Sequence, residues 1–583
     1  MKTFARLMLV LGIVAASFLA QTQAAEENKN DPKWAALTEK DAGDDFAVQG
    51  EYLIKIKSDD AEVKFGVQVI AMGEGKFHLV AYPGGLPGEG WNGKRDELVE
   101  LDSETLDGVV TFKSDKAMGQ IKNSELIVST LEGQELGRFP RVSRTSPTMS
   151  MAPPEGAVVL FDGTTPDNFR GGKITDEKWM EQGVTSFQKF GDCTMHMEFM
   201  LSFMPNGRGQ GRSNSGVYLQ GRYEVQILDS FGLKGLNNEC GGLYSVKDPD
   251  VNMCYPPLSW QTYDVDYTAA RYDNTGAQAT NARITVKHNG VVIHNDVELP
   301  KGTTGNPVPE GPDLGPFYIQ DHSNPLRFRN IWVVAKNKEE VDDDRDYITL
   351  FDGQTLNGWH KNPEKIGHGT GGNWQVEDGT ITGEQDPPGS GNGGILLTDE
   401  KFKDCEVVLD INPDWGVCSG FFVRSTDKGQ CIQMMVDYHD RGNVGHIYGE
   451  GTGGFNTRPF DIFGIYDEND PKKLIGYKTE PVPEAPPEAY TITGEGWVKI
   501  WKLNDWNTVR VRITGNPAHV TTWINGHKIN EFNGETFVQK QYDKEMVSQT
   551  LGEEGHIAVQ VHGGQGWPEG AKCRWRNIRV KRL

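Results

Sequence analysis

The sequence is short of basic residues, of helical periodicity and of long apolar runs. Lys and Arg number 59 against 82 Asp and Glu, a formal net charge of −23. That balance argues against nucleic acid or an anionic membrane surface as partner, since both are polyanions. Beyond the N-terminal segment no apolar stretch is long enough to cross a bilayer as a helix. No CxxC pair, HExxH or EF-hand-like loop occurs, so no metal site is legible from spacing. Acidic residues are numerous enough that a divalent metal assembled in three dimensions is possible; its identity is unknown, and no other cofactor is evident. The cysteines, at 193, 240, 254, 405, 418, 431 and 573, are odd in number. Cys240 and Cys254 could bridge a loop, or all seven could be buried thiols.

Turns and short alternating runs are plentiful instead, with Gly at 70, Pro at 30 and aromatics at 10%. That reads as an all-β chain, and 583 residues imply two to four domains. Lys2 and Arg6 precede the apolar run Leu7–Leu19, and Thr22-Gln23-Ala24 supplies small residues for cleavage. Residues 1–24 are therefore expected to be an export signal, leaving a periplasmic or extracellular mature chain without a membrane span. Residues 25–45 read as a disordered leader, and 46–139 as a small N-terminal β domain, sandwich-like or barrel-like. Segments 141–157 and 336–346 have linker composition, the second strongly acidic. The excursion at 480–490 is Pro-rich and should be exposed.

The remainder is an internal repeat. Val158–Gly163 (VVLFDG) returns as Ile348–Gly353 (ITLFDG), SGVYLQ (215–220) as SGFFVR (419–424), and GGLYS (241–245) as GHIYG (445–449). Trp260-Gln261-Thr262 answers Trp506-Asn507-Thr508, and the closing RFRNI answers RWRNI. Two related β domains follow, at 158–335 and 348–583. The formal GxGxxG at 449–454 leads into no helix start and does not read as dinucleotide-binding.

The stretch NSGVYLQGRYEVQILDS, Asn214 to Ser230, holds the chemistry-bearing pattern. Two alternating runs flank a Gly221-Arg222 turn, and alternation puts Glu224 and Gln226 on one face with Val225 and Ile227 on the other. Asp229 follows at the strand end, as possible acid or turn cap. A carboxylate on an otherwise apolar strand is costly without a purpose; pairing with Arg222 or Arg212 is the structural alternative.

LFDG, the NSGV hairpin with YEVQILD, WQTY, and QDHSNPLRFRNI occur in that order. Together they resemble the 3-keto-disaccharide hydrolase domain family, over both repeats but not the first 139 residues. The resemblance implies two concanavalin- or laminin-G-like β-sandwiches and an oxidised glycoside as substrate. It also implies a reaction: a base removes the C2 proton acidified by the C3 ketone, the C1 oxygen leaves, and water adds back. Such a site needs a base, a partner for the enolate and an acid for the leaving group.

Glu224, His322 and Asp229 are the candidate catalytic groups, and Asn214, Gln226, Gln320, Arg327, Arg329 and Tyr263 the candidate substrate contacts. The two arginines flank Phe328 and so face one way, to steady an enolate or to pair with sheet-face acids. Trp260 reads as core because Trp506 repeats it. In the second copy the counterparts are Asp437, matched to Asp229, with His562, Arg574 and Arg576; Glu224 falls on Gln433 or Ile432, depending on a one-residue gap. The rival readings are a non-catalytic, lectin-like carbohydrate-binding protein and a structural surface protein with an N-terminal interaction domain.

Overall fold

The computed structural model describes residues 28–57, 62–483 and 490–583. The expected export signal lies outside the described residues, as does most of the Pro-rich excursion. Strands from Gly50–Lys57 to Glu135–Val142 close into an eight-stranded barrel, which decides between the two architectures left open for this region. Closure leaves no unpaired edge. Val67, Val69, Phe77, Leu79, Phe112 and Leu126 are among the side chains of its core. The leader is not loose: Ala36 exchanges backbone hydrogen bonds of 3.0 and 2.9 Å with Phe203, whose ring enters the barrel core. Ile70, Val80 and Tyr82 of the barrel in turn belong to the core of the next unit.

That unit is a β-sandwich. One sheet runs Phe169–Arg170, Val184–Phe190, Gly315–Ile319, Ser215–Leu219, Tyr223–Ile227, with Val341–Asp343 added on Val184–Phe190. The other runs Val291–Leu299, Ala282–His288, Trp260–Thr268, Cys193–Met200, Arg327–Ala335, Val158–Phe161. Alternation sends Val217, Leu219, Val225 and Ile227 inward to meet Met195, Met197, Phe199 and Val265. A second sandwich, with nine- and six-stranded sheets, repeats the plan. Strands Val417–Ser425 and Cys431–Tyr438 pair there as Ser215–Leu219 and Tyr223–Ile227 do in the first.

Both presumed linkers are structural. The segment after the barrel straps across the outer face of the first sandwich. Ser146 and Thr148 hydroxyls meet Thr262 and Asp264 at 2.6 and 2.7 Å, and the Ser150 amide donates to Glu198 at 2.6 Å. Arg144 ties the strap back to the barrel through Glu51. Composition reads as linker here because Ser, Thr and Pro serve a docked strap as well as a free one. In the acidic segment, Val341–Asp343 joins a sheet and Asp344 takes ion pairs from Arg170, Lys189 and Arg579 at 2.5, 2.7 and 3.2 Å. Arg579 belongs to the second sandwich, so the acidity is matched by bases from both.

Glu198 holds the strap. Burial opposes its charge, but the His196 imidazole 3.6 Å away and hydrogen bonds from Asn330, Arg329 and the Ser150 amide outweigh that and hold its carboxyl at about 2. Glu198→Ala should lower stability by about 3 kcal/mol at neutral pH, because Arg329 and Asn330 lose a buried acceptor. The deficit should shrink as pH falls from about 4.5 toward about 2, where the wild-type carboxylate is itself neutralised. Urea unfolding at both ends of that range measures it; an unchanged midpoint at pH 7 would show the strap to be held elsewhere.

Candidate functional site

The outward face of the first sandwich's Ser215–Ile227 hairpin is arranged in cross-strand rows. Tyr218 stands opposite Glu224 and beside Tyr318. Gly216 stands opposite Gln226, and its carbonyl accepts from the Gln320 amide at 2.9 Å. The turn is centred on Gln220-Gly221, both at positive φ, one residue before the expected pair. Gly216 is required by contact: a Cβ there would fall 2.0 Å from Oε1 of Glu224. The glutamate therefore lies flat over the neighbouring strand, roofed by the loop at 303–305.

Glu224 is 3% exposed and has no cationic partner among the described residues. Both arginines considered for it are engaged elsewhere. Arg222 bonds the carbonyls of Pro309 and Asp313 and the Gln220 side chain, and Arg212 pairs with Asp229. Burial pushes the Glu224 carboxyl up to about 7, with a hydrogen bond from Tyr218 only partly opposing it. Gln226 completes the setting. With its NH2 turned inward it donates to Glu224 Oε1 at 3.0 Å and to the Ser215 carbonyl at 2.8 Å. The opposite orientation would aim an amide oxygen at those two acceptors. Asn214, 1% exposed, has its side-chain amide 3.2 Å from that of Gln226. Gln320 Nε2 reaches the Tyr218 hydroxyl at 3.4 Å. The face thus offers a proton acceptor poised at neutrality with amide and phenol donors around it, the chemistry of a general base.

Other expected members are elsewhere. Asp229 is buried in an ion pair with Arg212 at 2.6 Å, and Arg212 also bonds the barrel carbonyl of Ala71. It is a joint between barrel and sandwich, not a catalytic acid. Arg327 and Arg329 lie on the opposite sheet. Arg329 pairs with Glu198 at 2.7 Å and covers Trp260 at 4.0 Å, and Arg327 is 3.7 Å from Glu181, so the pairing alternative holds for both. Trp260 is thus a half-buried platform for Arg329, not core. Tyr263 is fully buried and donates to the Gln226 carbonyl at 2.7 Å from the facing sheet; it supports the strand from behind and meets no substrate. His322 is exposed on the rim, without a hydrogen bond among the described residues. All seven cysteines are thiols, Cys240 and Cys254 included. Tyr218, Tyr318 and the Thr303 loop were not singled out from sequence. Tyr218 and Tyr318 share the period-2 face of Glu224, a signal that was available; the loop's return over the strand was not.

The second copy settles its own alignment. Phe422 stands opposite Gln433, and Gly420 opposite Met435. A Cβ on Gly420 would fall 2.1 Å from the Gln433 amide, so Gln433 is the counterpart of Glu224 and Ile432 is not. Asp437 then answers Leu228, not Asp229. It pairs with Cys418, whose thiol donates to it at 3.1 Å. His562 is half-buried against His368, ring centres 4.7 Å apart, and His368 lies 3.3 Å from Glu450. Arg576 pairs with Asp410 over Trp506, and Arg574 with Asp414, repeating the outer-face role of their first-copy counterparts.

Two facing sheets per repeat, with a polar outer hairpin face on one of them, define a concanavalin-like β-sandwich protein. The chain belongs to the 3-keto-alpha-glucoside-1,2-lyase-like domain family, which matches residues 156–334 and 346–581, more than half of its length. A 3-keto-disaccharide hydrolase of Bacteroides thetaiotaomicron is 37% identical over 93 residues, which span 14% of this chain and 30% of that relative. Among solved structures, a Parabacteroides distasonis ATCC 8503 protein is 31% identical, covering 31% of this chain and 84% of its own, with a TM-score of 0.29. The Bacillus subtilis carbohydrate-binding module CBM66 is 10% identical over 38% of this chain and 95% of its own, TM-score 0.20. A Bacillus licheniformis beta-glucanase is 12% identical over 41% and 97%, TM-score 0.24.

The raised Glu224 carboxyl has a stability consequence. Between about 4.5 and about 7 the unfolded chain has lost this proton and the folded chain keeps it, so stability falls as pH rises through that window. The cost is at most about 3 kcal/mol. Glu224→Gln removes it, and Gln433 shows that the site accepts an amide. Melting temperature should rise at pH 8 relative to wild type and stay level at pH 4. Equal shifts at both pH values would contradict a buried, cation-free carboxylate.

Proposed function

We propose that this protein cleaves 3-keto-glycosides by proton abstraction and elimination, with Glu224 of the first sandwich as the base. The observation that supports it is a buried carboxylate without a cation, its proton affinity near neutrality, fixed by Gln226 and Tyr218. The Glu224 carboxylate takes the C2 proton of the sugar. The C2–H electrons form the enolate of the C3 ketone, which collapses to a C1=C2 double bond as the C1–O bond breaks. The aglycone oxygen leaves with a proton, and water added across the double bond completes a net hydrolysis. Gln320 and Tyr318, half-buried on the same face, are the donors for the enolate oxygen, and His322 at the rim is the candidate acid. An ordinary glycosidase instead flanks the bond with two carboxylates, and among the described residues no second carboxylate acts on Glu224. In the second copy Gln433 replaces the base, so the equivalent row there is read as binding sugar without turning it over. The reading includes export, resting on Lys2, Arg6 and the run Leu7–Leu19.

Purified protein should release the aglycone from 3-keto-glucosides and leave the parent glucosides intact. kcat/KM should climb with pH to a plateau above about 7. Glu224→Gln should lower kcat by about 10²-fold or more with the fold intact by circular dichroism. Undiminished turnover in that variant removes Glu224 from the reaction. Glycan binding without turnover on any keto sugar would leave a lectin-like protein.

A further inference from the structure

The second sandwich carries a set of potential metal ligands where the first has one histidine, an amide and an apolar residue. Along its outer hairpin face, His562, Cys418 and Asp437 sit side by side on three adjacent strands: the His562 amide donates to the Cys418 carbonyl at 3.2 Å, and Cys418 stands opposite Asp437. His439, two residues on, shares the face of Asp437. In the first sandwich that row reads His322, Asn214 and Leu228, and the position two after Leu228 is the buried Ser230.

One ligand atom each from Cys418, Asp437 and His439 lies within 4.8 Å of the other two. All three residues are half-buried, so the cluster is sheltered yet reachable. The thiol sulfur is already 3.1 Å from Asp437 Oδ1. A tetrahedral ion with bonds near 2.0–2.3 Å sets its ligands about 3.3–3.8 Å apart, within reach of small rotamer changes. Nδ1 of His439 lies 2.9 Å from the Asp440 carbonyl. That bond fixes the ring and its tautomer and leaves Nε2 free, the usual support of a metal-bound imidazole. No lysine or arginine forms an ion pair with Asp437 among the described residues; the Cys418 thiol and the nearby His439, His562 and Arg458 are what favour its charge against burial.

We propose that Cys418, Asp437 and His439 form a binding site for a divalent transition-metal ion of the zinc type, confined to the second sandwich. One thiolate, one carboxylate and one imidazole neutralise a dication and suit zinc or cobalt better than calcium or magnesium, which take oxygen ligands. Three protein ligands leave a fourth position for water or for an oxygen of a bound molecule. His562, His368 and Glu450 stand nearby to act on whatever occupies it. The site is independent of Glu224, so it stands or falls separately from the keto-glycoside reading.

Cobalt(II) tests it directly. Chelator-treated full-length protein titrated with Co²⁺ should develop a near-ultraviolet thiolate-to-cobalt band and visible bands of a four-coordinate ion, saturating at one equivalent. Zn²⁺ should bleach both. Cys418→Ser should lose the ultraviolet band, and Asp437→Asn and His439→Ala should weaken affinity at least about tenfold. Cys254→Ser should change nothing. Absence of the bands at one equivalent, or their persistence in Cys418→Ser, overturns the proposal. If Cys418→Ser does not fold, His439→Ala decides, and undiminished Co²⁺ affinity in it overturns the site.

Discussion

The outer face of each sandwich depends on one close approach: a long polar side chain laid across a glycine of the neighbouring strand. Gly216 admits Glu224, and Gly420 admits Gln433. A Cβ at either glycine would meet that side chain and push it off the strand, so the glycine is what lets it lie flat. The fold needs a flat polar side chain there and does not care about its charge, as the glutamine shows. The carboxylate in the first copy is therefore an addition to the architecture. It carries a desolvation cost that an amide avoids. A costly group kept where a cheaper one fits is the physical ground for treating Glu224 as functional.

Charges elsewhere follow the opposite rule. Glu198, Asp229 and Asp344 are buried or nearly so, and each meets a guanidinium: Arg329, Arg212 and Arg579. These pairs join parts of the molecule. Glu198 fastens the strap, Asp229 and Arg212 join sandwich to barrel, and Asp344 joins the two sandwiches. Those paired acids mark seams, and Glu224, buried without a cation, marks the candidate site. Exposure does not make this distinction, since Glu198, Asp229 and Glu224 are all 3% exposed or less.

Much of this was legible in the sequence and some was not, for identifiable reasons. The repeat, the all-β class and the Glu224/Gln226 face depend on local periodicity, which a strand writes directly into its sequence. The segments at 28–45, 141–157 and 336–346 were misjudged because docking of a polar strap is decided by what lies beneath it. Ser146 and Thr148 look like linker residues until Thr262 and Asp264 are placed under them. Arg327 and Arg329 were correctly seen to alternate, but alternation gives a face, not a sheet. The match of Asp437 to Asp229 failed by one residue, and in a strand one residue reverses the side chain. Only the pairing of Gly420 with Met435 and Phe422 with Gln433 resolved it.

That corrected register changes how the copies relate. If Asp437 answered Asp229, the second sandwich would be an eroded first, with a structural acid surviving and the base lost. It answers Leu228, so Asp437, Cys418 and His439 are gains where the first copy is apolar or neutral. The row of Tyr218 and Glu224 and the row holding Cys418 and Asp437 lie four residues apart in the shared framework, about 13 Å along a strand. Each sandwich thus carries its ionisable hairpin residue in a different row, Glu224 in the first and Asp437 in the second. The two rows lie at different positions on one scaffold, so a role for the Glu224 row in the first copy and one for the Cys418 row in the second do not depend on each other. The second sandwich is on this argument a specialised unit, not a passive remnant.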